Sequence, residues 1–180
     1  MRYLPWLLGL VALLGTSACS RGDDSADGLF HWKISTAVEI DAPAARVWSV
    51  LVDLPAYREW NPFIVEASGT VAVGETLALQ MALPGRSPMT IKPRLLVVDP
   101  DRELRWKGRL LVSGLFDGEH AFALTPLANG RTRLDHWERF SGLLLPIARP
   151  FVYDGTVRAF QALNAALAER AAGRLTAAAE

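Results

Sequence analysis

The chain has 180 residues, a length that fits one domain, and is 51% hydrophobic and 21% charged, the balance of a molecule with a sizeable core. Its formal charge of +0 excludes both the basic surplus of a nucleic-acid binder and the acidic surplus of a solvating tail. Six Trp and seven Phe are generous for this size and suit either a core or a cavity lined with rings.

Met1 and Arg2 supply a short positive start, Leu4 to Leu14 are apolar apart from Pro5 and the glycines, and Thr16, Ser17 and Ala18 are small. This is the layout of a secretory signal peptide over 1–18, too short for a spanning helix. Cys19 is the single cysteine, so no internal disulfide is available. Small residues directly before a cysteine resemble a bacterial lipobox. That resemblance implies cleavage before Cys19, lipidation of its thiol, and a protein held at an envelope membrane. Thr16 stands where such signals usually carry a large aliphatic side chain; the alternative is an ordinary signal peptide with Cys19 near the cut. Ser20 after the cysteine resembles the outer-membrane sorting class. Residues 19–29 are polar around Gly22, Asp23, Asp24, Ser25 and Asp27, and read as a flexible tether.

The domain proper is expected over 30–173, and 174–180 as a loose tail. Phe30 to Ile40 alternates as a strand. Asp41 offers a helix-capping carboxylate, Pro43 pre-sets the first turn, and Val47, Trp48 and Leu51 recur at helical spacing. A second short turn runs from Pro55 to Trp60. Asn61 and Pro62 break it, and Phe63 to Ala67 is extended. Strands follow at Thr76 to Leu83 and Thr90 to Val98, the latter with irregular or edge pairing at Pro93. After a turn at Asp99-Pro100-Asp101, a strand spans Glu103 to Val112, and Gly114 and Asp117-Gly118 mark another turn. Glu119 to Thr125 and Arg133 to Phe140 form a hairpin around Ala128-Asn129-Gly130. Pro150 to Ala172 is one long helix whose apolar stripe is Phe160, Leu163 and Leu167.

The run Glu39 to Phe63, EIDAPAARVWSVLVDLPAYREWNPF, resembles the N-terminus of the START-like helix-grip superfamily, also called SRPBCC. That group includes polyketide cyclase/dehydrase-type and lipid-transfer domains, and the resemblance spans nearly all of Ile34 to Ala172. It implies an α+β fold: a curved antiparallel sheet of about seven strands around the long C-terminal helix, with a ligand cavity between them.

Strand alternation places His120, Phe122 and Leu124 on one face. In the partner strand Leu134, His136, Glu138 and Phe140 share a face opposite Asp135, Trp137 and Arg139. The charged Asp135 and Arg139 belong to solvent, so His136 and Glu138 point inward. A turn with an odd number of loop residues sets His120 opposite Glu138 and Phe122 opposite His136. A strict two-residue Asn-Gly turn sets His120 opposite Arg139 instead. The odd loop puts both apolar sets on the core side. Three readings of His120, His136 and Glu138 stay open: a self-satisfied buried cluster, groups that orient the polar head of a greasy ligand, and a two-His-one-carboxylate metal or acid–base site. Trp60, Trp106, Phe122 and Phe140 are the expected aromatic lining, and the 83–88 loop could gate the mouth.

GxSxG, CxxC, HExxH and a phosphate-cradling glycine loop are all missing from the sequence. No cofactor or metal is expected. The expected partners are a small hydrophobic molecule and a membrane, with no nucleic acid. The alternatives are a cyclase/dehydratase-like enzyme working through His120, His136 or Glu138, and an interaction protein with no cavity.

Overall fold

A computed structural model describes residues 28–83, 85–110 and 112–173. The signal segment, Cys19 and the tail after 173 lie outside them. Strand β1 (His31–Ile40) leads into helix α1 (Ala44–Val52), a 3-10 turn (Leu54–Ala56) and the short helix α2 (Tyr57–Trp60). Seven more strands follow: β2 (Ile64–Ser68), β3 (Ala78–Met81), β4 (Met89–Ile91), β5 (Arg94–Asp99), β6 (Glu103–Leu110), β7 (Phe116–Pro126) and β8 (Thr132–Ser141). Helix α3 (Leu145–Ala171) closes the order.

All strand pairs are antiparallel, in a five-stranded sheet ordered β1-β8-β7-β6-β5 and a three-stranded sheet ordered β2-β3-β4. Backbone bonds Leu77 N–H to Pro93 O (3.0 Å) and Leu95 N–H to Glu75 O (2.8 Å) stitch the two into one curved surface. Phe160, Leu163 and Leu167 of α3 are fully buried, in one core with Leu51, Phe63, Leu104 and Phe122. The α+β helix-grip architecture is the expected one.

Local chemistry explains both the junctions and the departures from expectation. Asn61 Oδ1 accepts from the N–H groups of Phe63 (3.0 Å) and Ile64 (2.8 Å), an Asx-type turn that ends α2 and launches β2. The expected strand over 90–98 is two strands in different sheets. Pro93 has no N–H to continue a ladder, and its carbonyl serves the seam instead. Asp41 does not cap α1: Pro43 occupies the N-cap, and the entry is held by Thr132 Oγ1 donating to Ala42 O at 2.7 Å. Asp117-Gly118 is not a turn but part of β7, paired with Arg109 and Gly108. Helix α3 begins five residues before the expected start, with Pro146 in its first turn and Pro150 inside it.

Candidate functional site

The β6–β7–β8–β1 register lays the site out in rows across the sheet. Gly108, Gly118, Phe140 and Trp32 form one row. Trp106, His120, Glu138 and Ile34 form the next, and Leu104, Phe122, His136 and Thr36 the third. His120 lies opposite Glu138 and Phe122 opposite His136, the register of the odd loop, and five residues (127–131) separate the paired ends of the hairpin. Trp137 lies on the other face, with the cations of Lys33 and Arg139 5.4 and 5.3 Å from its ring.

A cavity of about 280 Å³ sits over the first row. Phe63, Met81, Ile91, Trp106, Phe116 and Phe140 give it apolar walls, and α3 contributes Ala148, Val152 and Thr156. Exposed Arg86, Ser87, Met89 and Arg109 also line it and mark the mouth. Arg86 donates to Phe151 O at 2.8 Å, tying the loop between β3 and β4 to α3. The two glycines make the room. A Cβ on Gly118 would stand 2.5 Å from Glu138 Oε1, so only glycine lets that carboxyl lie across the strand.

Of the expected site residues, Trp106, Phe140 and Glu138 line the cavity. His120, His136 and Phe122 share the same inward face but lie behind the wall. Trp60 is not in the lining: α2 turns it into the core, edge-on to Tyr57.

From Glu138 a chain of polar contacts runs into the core. Glu138 Oε2 is 3.5 Å from His120 Nδ1, and His120 Nε2 is 2.8 Å from His136 Nε2. His136 Nδ1 is 2.7 Å from Asn164 Oδ1, Asn164 Nδ2 donates to Thr36 Oγ1 at 2.9 Å, and Thr36 Oγ1 donates to His136 O at 3.3 Å. Ring faces flank the imidazoles. Trp106 stacks on His120 (centroids 4.7 Å, 9° from parallel) and Phe160 on His136 (3.8 Å, 9°). His120 is 2% exposed and His136 0%.

Burial sets the charge state. It lowers the pKa of His120 to about 3 and that of His136 well below the ordinary 6.5, helped there by His120 alongside. Burial raises the pKa of Glu138 to about 8, so the carboxyl keeps its proton at neutral pH. The 3.5 Å separation is longer than the roughly 2.7–2.9 Å of a charge-assisted N–H to carboxylate bond. Thr36, Asn164, His136 and His120 therefore form a hydrogen-bonded chain, with the Glu138 carboxyl in polar contact at its cavity end. The cluster does not present a metal site, since both nitrogens of each ring face other side chains and, among the described residues, no group of three or more His, Cys, Asp or Glu is placed to hold an ion. Sequence reasoning missed Asn164 and Thr36. The signal for Asn164 was its place beside Leu163, on the helix face shared by Phe160 and Leu167.

Residues 31–180 match the family model described as "Polyketide cyclase / dehydrase and lipid transport". The chain belongs to this family. Membership puts it among the ligand-binding and cyclase/dehydrase-type proteins of the START-like superfamily, a group known for small hydrophobic ligands. Solved structures share the fold. The Zhui aromatase/cyclase of a Streptomyces species is 22% identical with a TM-score of 0.67, covering 81% of this chain and 96% of its own. A START superfamily protein from Mycobacterium smegmatis is 21% identical with a TM-score of 0.64, covering 79% and 99%. Truncated norcoclaurine synthase from Thalictrum flavum is 16% identical with a TM-score of 0.61, covering 78% and 92%. A comparison with curated proteins found no match.

Proposed function

We propose that this family member is an exported binding protein for a small hydrophobic molecule, held at an envelope membrane through lipid on Cys19. The observation that carries the binding reading is the apolar cavity of about 280 Å³ with the Glu138 carboxyl in its wall. That volume is just below the usual range for ligand pockets, roughly 300–1,000 Å³, and suits one or two rings or a short chain better than a two-chain lipid. Affinity would come from apolar area removed from water, about 25 cal/mol per Å² before the costs of association. Support for the anchor comes from the N-terminal sequence, where small residues precede the single cysteine. Native mass spectrometry of protein purified from its own envelope tests the reading. The expected result is a co-purifying small apolar molecule, displaced by aromatic probes. Protein that is empty and also ignores such probes would overturn it.

One observation favours a second reading, a cyclase- or dehydratase-like enzyme. A protonated carboxyl in an apolar cavity, backed by an imidazole, is how a general acid is kept ready at neutral pH. Glu138→Gln separates the two. A binder keeps its affinity to within a few fold, whereas an acid catalyst loses turnover by roughly 10²–10⁴.

A further inference from the structure

The polar chain behind the cavity has a direction, and its far end fixes it. Thr36 has one hydroxyl proton and spends it on the carbonyl of His136. Its oxygen therefore accepts from the Asn164 amide, which leaves Asn164 Oδ1 as the acceptor facing His136 Nδ1. His136 must carry its proton on Nδ1. In a neutral ring Nε2 is then bare, so His120 must donate to it from its own Nε2. His120 Nδ1 is in turn bare, and the polar atom facing it is Glu138 Oε2. The proton of the neutral carboxyl is drawn to that oxygen. Oε1, lying over Gly118 in the cavity wall, is left as a carbonyl-type acceptor.

We infer that the cavity selects apolar ligands that carry a hydrogen-bond donor, a phenol, alcohol or amine N–H or O–H directed at Glu138 Oε1. Asn164 and Thr36 set this preference from outside the cavity by fixing both imidazole tautomers. The inference rests on the cavity being a ligand site. A ligand that offers only acceptors, an ether or a ketone, meets an oxygen with no proton to give and leaves its own polar group unpaired, which binding penalises. Phe63, Phe116 and Phe140 have no polar side-chain atom with which to make this distinction, and the donors Arg86, Ser87 and Arg109 stand at the mouth.

The test is a matched probe series on the purified protein, followed by fluorescence or calorimetry: naphthalene, a naphthol, its methyl ether, and an acetylnaphthalene. The naphthol is expected to bind about tenfold more tightly than its ether, the worth of one neutral hydrogen bond. Glu138→Gln should keep that ratio, since the amide donates to His120 Nδ1 and still shows a carbonyl oxygen. Glu138→Leu should bring the ratio near one while naphthalene still binds. Imidazole nitrogen NMR should find His136 protonated on Nδ1 and His120 on Nε2. Equal binding of naphthol and ether, a preference for the acetyl compound, or the opposite tautomers would overturn the inference and leave the cavity reading standing. Failure of the whole series to bind would remove the cavity reading, and this inference with it.

Discussion

At the scale of single residues, the two imidazoles trade solvation for a complete set of partners. A buried polar atom left unpaired costs about 1–3 kcal/mol, and His136 escapes that only through Asn164. Asn164→Leu is therefore expected to destabilise the fold by about 1–3 kcal/mol in chemical denaturation, although α3 keeps its apolar face. Glu138 and His120 give stability opposite pH slopes. Glu138 goes from an ordinary 4.5 up to about 8 on folding, so the stabilisation from its uncharged form is complete below 4.5 and lost as pH rises through about 8. His120 goes from 6.5 down to about 3, so its share is complete above 6.5 and lost as pH falls toward 3. Melting scans should find wild type declining relative to Glu138→Gln between about pH 5 and 8. Parallel curves would show that Glu138 titrates normally.

At the scale of elements, the sheet matters more by what it omits than by what it presents. Gly118 in β7 is the position where a methyl group cannot coexist with the Glu138 carboxyl as placed, whereas a Cβ on Gly108 would meet Pro93 and Ile91 at the ordinary contact distances of 3.7 and 3.8 Å. Gly118→Ala is expected to turn the carboxyl aside and weaken probe binding by about tenfold with little change in melting temperature, because strands tolerate side chains better than glycine. Gly108→Ala should narrow the cavity and cost less. A Gly118→Ala protein with wild-type affinity would show that the carboxyl takes no part in binding. Helix α3 works by packing. Leu163 is wholly buried, and Leu163→Ala should cost about 2–5 kcal/mol by leaving a void under the helix.

At the scale of the whole molecule, the alternation of Asp135 and Arg139 with His136 and Glu138 was enough to orient the hairpin, and with it the inward cluster. A charge on an outer strand position has one comfortable side. The WNPF run was equally legible, because the Asn61 side chain makes a turn that its sequence context announces. Proline misled at one position and guided at another. Pro150 looked like a helix start and lies inside α3, while Pro93, read as an irregular or edge position, lies between two edge strands of different sheets. The aromatic lining was legible for Trp106 and Phe140 but not for Trp60, which is set by the path of α2 rather than by strand alternation. The proposed anchor belongs to this scale as well. Cys19→Ser should abolish metabolic labelling with palmitate and release the protein from the membrane fraction, and unchanged labelling would refute it. The bond from Asn164 to His136 has a mechanical consequence for the molecule. It rivets the rear half of the long helix to β8, while the forward half, carrying Pro150, is held over the cavity by Arg86 on Phe151 O and by Tyr153 against Trp32.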